Sequence, residues 1–170
     1  MNINNKEKLE LEEIYSSLFK DERILKMQTI PMHRGSNCYI HSFKVAKLAV
    51  KRGLRHKNVN LKTLLLGSIL HDYYLYDWRI EKDKRMSHCK KHPEVSINNA
   101  SRDFNIEDDV KDIIRRHMWP FNITLFPDTK EARILTLADK SIFWKEVFTS
   151  KKHKQKNNEL YLLKLSKLFD

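Results

Sequence analysis

Six residues whose side chains bind cations recur along the chain in the order His41-x29-His71-Asp72-x19-His92-x24-His117-x21-Asp139. Imidazole nitrogens and carboxylate oxygens are ligands for Mn, Fe, Co, Ni and Zn, and a set poor in thiolate disfavours a purely structural zinc. His41, His117 and Asp139 each fall on the apolar stripe of a separate helix in the reading below, while His71 and Asp72 stand together at the end of the most apolar one. A carboxylate on a core-facing stripe is expensive to bury unless it is paired or bound to a metal. One such residue could be an accident of packing. Five on the inner faces of four helices predict faces that converge on a cation. On a regular helix His71 and Asp72 would point about 100° apart, so both reach inward only where the helix stops.

The elements that must position these groups follow from apolar spacing and cap residues. Residues 7–19 carry Leu11, Ile14, Tyr15 and Leu18 at helical spacing. Residues 31–37 (PMHRGSN) form a loop, and Asn37 caps a helix over 38–52 on which His41 lies one turn before Val45, Leu48, Ala49 and Arg52. Asn60 caps 61–71, apolar nearly all round and therefore the central buried helix. Residues 73–87 read as an irregular crossing. Pro93 sits at a natural first helical position, opening a helix to about Phe104. Asn105 is placed to cap 106–117, whose face reads Ile106, Val110, Ile113, Ile114, His117. After a loop at 120–128, residues 129–148 form a helix with Leu135, Ala138, Asp139 and Ile142 on one stripe. The expectation is an all-α bundle of about seven helices without strands. Residues 1–150 form the main domain with its N-terminal helix, and 151–170 form a basic linker (KKHKQK at 151–156) and a last amphipathic helix packed on the same domain.

The 170-residue length suits one domain with a real core, and the scarcity of Gly (3) and Pro (4) fits helices with short connections. The formal net charge of +11 attracts polyanions, although the lysines are spread along the chain as on solvated helix faces. No window nears 18 uninterrupted apolar residues, the N-terminus lacks an apolar signal region, and two cysteines are too few for a disulfide framework. The expected location is the cytoplasm.

The pattern H…HD…H…H…D, with the words His41-Ser42…Val45-Ala46, Leu70-His71-Asp72, His92-Pro93-Glu94, Arg116-His117 and Leu137-Ala138-Asp139-Lys140, resembles the HD superfamily of metal-dependent phosphohydrolases over residues 33–145. The resemblance implies one or two divalent transition metals (Fe, Mn, Ni, Co or Zn). His41, His71, Asp72 and Asp139 would hold the first and His92 and His117 the second. Asp72 would be the bridge and the catalytic residue, beside a hydroxide activated between the ions. It also implies a phosphorylated small molecule, a nucleotide or a relative of one, as partner. The HD-Ile-Gly-x-Lys variant of the family is absent, since Leu75 stands where its lysine would be. The run His71 to Trp78 looks more like small bacterial HD proteins, which leaves the substrate open.

Other residues are candidates for supporting roles. Arg34, His88 and Lys140 are read as substrate-binding, with His33 beside Arg34 in the loop before the first ligand helix. Asp77 is read as a group that orients a ligand, and Arg115 and Arg116 as phosphate-binding candidates or plain surface cations. Tyr73, Tyr74, Tyr76 and Trp78 either stack a base or pack the crossing segment, while Trp119 and Phe121 wall the same pocket. A rival metal reading joins Cys38-x2-His41 and Cys89-x2-His92 into a Cys2His2 zinc site. Two other functions use the same features: a diiron HD-type oxygenase with the same six ligands, and a basic nucleic-acid or regulatory binding module with an inactive site.

Overall fold

The computed structural model describes residues 3–32, 36–80, 85–148 and 158–169. Among the described residues it is all-α: α1 (Asn5–Lys20), α2 (Glu22–Leu25) running into a 3-10 turn (Lys26–Thr29), α3 (Cys38–Gly53), α4 (Leu61–Leu70), α5 (Arg85–Phe104), α6 (Asp108–Arg116), α7 (Lys130–Phe148) and α8 (Asn158–Leu165). No helix among these is long and apolar enough to cross a membrane.

The expected caps hold where they start the two central helices. Asn37 Oδ1 accepts from Ile40 N at 2.9 Å and Asn60 Oδ1 from Thr63 N at 3.1 Å, each satisfying an orphan donor of a first turn. Two other boundaries differ from the sequence reading. Pro93 does not open a helix: α5 begins at Arg85 and carries Pro93 inside it. The proline lacks one N–H, so a single ladder bond is given up, and the helix continues on both sides of it. Asn105 does not cap α6 either. It has φ 47° just past the end of α5, the left-handed position that asparagine tolerates, and Glu107 occupies the N-cap position of α6. The turn at 21–29, α2 with its 3-10 continuation, was not expected. It starts at Asp21, whose carboxylate accepts from Arg23 N at 2.8 Å.

Helix α3 packs against α4 and α7, and α4 also meets α6 and α7. On one side of α3, Tyr15, Tyr39, Phe43, Leu65 and Ile69 form the larger apolar cluster, which also buries Leu165 and Leu168 beyond α7. On the other side, Val45, Ala49, Leu64, Ile113, Leu135 and Ala138 join α3, α4, α6 and α7. The ends of α4 and α6 are thereby held beside α3 and α7. Gly67 sets the closest approach, because a Cβ there would sit 2.6 Å from Ile113 Cγ1. Gly67→Ala is therefore expected to destabilise the fold by roughly 1–3 kcal/mol. At about 2–4 °C per kcal/mol for a chain of this size, the midpoint should fall measurably in a thermal melt. An unchanged melt would mean that α4 and α6 part freely.

Candidate metal centre

Five helices, α3 to α7, bring all six sequence-derived residues together. His41 projects from α3, one turn in from its cap. His71 is the C-cap of α4, and Asp72 follows it in the turn. His92 comes from the middle of α5, His117 is the C-cap of α6, and Asp139 lies on α7. His41, His71, Asp72, His92 and His117 are buried, and the Asp139 side chain is 14% exposed.

The backbone fixes how three imidazoles point. His71 Nδ1 donates to Ser68 O at 2.9 Å and His117 Nδ1 to Ile114 O at 2.6 Å, each ring turned back onto a carbonyl in the last turn of its own helix. His92 Nδ1 donates to His88 O at 3.0 Å. A carbonyl only accepts, so these Nδ1 atoms carry the protons and each Nε2 faces the centre. His41 is held differently, through a carboxylate: its Nδ1 lies 2.9 Å from Glu146 Oε2. A buried carboxylate behind the imidazole is the arrangement that sets the orientation of a metal-ligating histidine.

The centre has two halves that share Asp72. Asp72 Oδ2 lies 3.4 Å from His71 Nε2 and 3.9 Å from His41 Nε2. Asp139 Oδ1 closes that half at 3.0 Å from His41 Nε2 and 3.7 Å from His71 Nε2. Asp72 Oδ1 faces the other half, 3.3 Å from His92 Nε2 and 3.9 Å from His117 Nε2. Three triads, His41–His71–Asp72, His71–His117–Asp139 and Asp72–His92–His117, each gather their ligand atoms within 4.8 Å of one another.

Three observations fit the donor set to cations. His71 Nε2 is buried and has no hydrogen-bond partner. His92 Nε2 and His117 Nε2 stand 2.9 Å apart, although both rings spend their Nδ1 protons on carbonyls, so neutral rings meet through lone pairs. Two ligands at right angles around an ion at about 2.1 Å lie roughly 3 Å apart. The third is charge demand. Burial would hold His41 neutral, but the carboxylates of Asp139 and Glu146 outweigh it and lift its pKa to about 10. Burial opposes charge on Asp72 as well, yet the surrounding imidazoles hold its carboxyl far below the usual range. His117, pressed by burial and then by the His92 and His71 rings, is pushed down to about 3. The carboxylates thus draw positive charge into the centre, which His41 meets readily as a proton and His117 does not.

Glu146 was missed by the sequence reading. Burial would raise its carboxyl, but His41 and Lys44 outweigh it and hold its pKa at about 2. Its Oε1 accepts from Lys44 Nζ at 2.8 Å and Ser36 Oγ at 3.0 Å. A signal existed. Glu146 lies seven residues, two helical turns, after Asp139 on the same stripe, where a carboxylate is just as expensive.

Above the centre lies a cavity of 530 Å³, lined by His88 and Lys140 and walled by Trp78, Phe121, Phe143 and Trp144. His88 stacks between Trp78 (centroids 5.4 Å apart) and His92 (4.6 Å), and its Nδ1 lies 2.8 Å from Tyr76 Oη. Lys140 donates to His117 O at 3.1 Å, and burial lowers its pKa. Arg34, with His33, lies outside the described residues, as does the basic run at 151–156. Asp77 turns to Arg79 rather than to a ligand (2.9 Å). Arg115 pairs with Glu94 and Arg116 with Asp112, so both are ion-paired on the helix surface. Tyr73 is packed in the core with its hydroxyl on Asp103, Tyr74 lines the cavity, and Phe121 rather than Trp119 reaches its wall. Among the described residues no metal-competent cluster includes a cysteine, and Cys38 Sγ donates to Tyr74 Oη at 3.1 Å. That disfavours the Cys2His2 reading.

The family model for the HD domain matches residues 38–142. The chain belongs to the HD-domain family. The match opens three residues before His41 and closes three after Asp139, so all six centre residues lie inside it and Glu146 lies outside. No curated protein and no solved structure matches the chain. HD domains form a superfamily of metal-dependent hydrolases, generally phosphohydrolases, and this HD domain carries a His/Asp cluster that could hold divalent metal.

Proposed function

We propose that this HD protein is a metal-dependent phosphohydrolase that cleaves a phosphoester or phosphoanhydride of a nucleotide or a related small phosphorylated metabolite. The observation that carries the reading is the two-faced carboxylate of Asp72, with one oxygen turned to His41 and His71 and the other to His92 and His117. In this reading His41, His71, Asp72 and Asp139 hold one divalent cation, while His92 and His117 hold a second that shares Asp72. A pair of divalent cations, when bound, lowers the pKa of water and neutralises charge on a phosphoryl group.

The chain's own groups do the rest. Glu146 and the three carbonyls fix the imidazoles before substrate arrives, so little reorganisation is left for the reaction. Lys140, at the cavity wall beside Asp139, offers an ammonium to a phosphate oxygen, and His88 offers a ring at the opposite wall. The aromatic walls suit a flat base, which stacks without needing a particular edge pattern. They also keep water from the reacting phosphoryl group.

The reading is tested by phosphate release from nucleoside phosphates under added Mn, Ni or Fe, comparing the wild-type chain with His117→Ala. The variant is expected to keep its helical spectrum, to lose one metal of about two per chain, and to lose activity by about 10²-fold or more. An unchanged metal count in His117→Ala would remove His117 from the centre.

A further inference from the structure

A second cavity, of 500 Å³, lies between α3, α7 and α8 and shares no lining residue with the cavity over the metal centre. Its wall carries five lysines, Lys44, Lys47, Lys51, Lys145 and Lys164, and no acidic residue among the described ones that line it. Its remaining surface is apolar. Ile142, Leu165 and Leu168 are buried at its floor, and Leu48, Leu54 and Phe169 are half-covered around them.

The walls are fixed in place. Lys47 Nζ donates to the carbonyls of Lys164 and Lys167, which ties the end of α8 to α3. Tyr15 Oη donates to Leu165 O from the opposite side of α8. Lys44 Nζ, already paired with Glu146, lies 5.3 Å above the Tyr161 ring, while Lys51, Lys145 and Lys164 stand exposed at the rim. The volume falls inside the roughly 300–1,000 Å³ range of small-molecule pockets.

A basic rim over an apolar floor selects a ligand with both features. A bare anion would leave the floor wet, and a nucleic-acid backbone has no apolar body to lay on it. An uncharged chain would make no use of the exposed ammonium groups of Lys51 and Lys164 at the rim. We propose that this groove binds a single-chain anionic amphiphile: an alkyl chain against Leu48, Leu54, Ile142 and Leu165, and a carboxylate or phosphate head among the rim lysines. The site is independent of the hydrolase reading and does not draw on the six centre residues.

The test is calorimetric titration of the full chain with dodecanoate, dodecyltrimethylammonium and inorganic phosphate, all below micelle-forming concentrations. One dodecanoate is expected to bind per chain. The cationic surfactant with the same tail should bind at least about tenfold more weakly, and phosphate should show no saturation. The Lys51→Glu/Lys164→Glu double variant, changed only at two exposed rim positions, should weaken dodecanoate by about tenfold or more; Lys51→Ala alone, the milder change, should weaken it about two- to fivefold. Equal dodecanoate affinity in wild type and double variant would place the ligand elsewhere and overturn the proposal. Phosphate binding as tight as dodecanoate would overturn the amphiphile and leave only an anion patch. Absence of saturable dodecanoate binding would overturn the site itself.

Discussion

Replacing Asp72 with alanine is expected to remove phosphate release by about a thousandfold or more and to cut the metal content from about two ions per chain to one or none. Among the described residues Asp72 is the one whose two oxygens face both halves of the centre, at 3.4 Å from His71 Nε2 on one side and 3.3 Å from His92 Nε2 on the other. Its loss therefore weakens both sites, whereas a change at His117 touches one. Helix content should be retained, because the packing that brings α3, α4, α6 and α7 together rests on the apolar clusters on either side of α3. Full activity in Asp72→Ala, measured with the same metal loading, would contradict the bridge.

Stripping the metal should cost the protein more stability than any single surface change. Ions that bind the folded chain alone stabilise it by RT ln(1 + [L]/Kd), about 4 kcal/mol at a thousandfold excess over Kd. At about 2–4 °C per kcal/mol this is a fall of roughly 8–16 °C in the melting midpoint after chelation. The cause is local. Without cations His71 Nε2 remains buried without a hydrogen-bond partner, and His92 and His117 face each other at 2.9 Å. Adding Mn or Ni back should restore the midpoint, and Asp72→Ala should show only a small part of the shift. A chelated protein that melts with the untreated one would mean that the buried cluster is satisfied by protons alone.

Five of the six centre residues were legible in the sequence as ionisable groups on or at the end of otherwise apolar helix faces, where burial makes them conspicuous, while His92, between Lys91 and Pro93, was placed through the family pattern. The caps Asn37 and Asn60 were legible for a similar reason, as side-chain acceptors standing before apolar periodic runs. Pro93 misled, since a proline is equally compatible with a first turn and with a long helix that gives up one bond, and the choice is made by the packing of α5 on α6. Asn105 misled because asparagine serves both helix ends, and its φ of 47° decides between them. Glu146 escaped because it follows Lys145 near the end of α7, where a carboxylate passes for solvated. Only the fold shows it buried behind His41.

The metal centre itself is open to direct measurement. Elemental analysis of protein purified anaerobically without chelator, run beside a phosphate-release assay under Mn, Ni and Fe, reads occupancy and chemistry together. The expected result is about two divalent transition-metal ions per chain and phosphate release that follows metal loading. Two irons with oxygen consumption and no phosphate release would contradict the hydrolase in favour of an oxygenase, and a chain that holds no metal under any loading would contradict the centre.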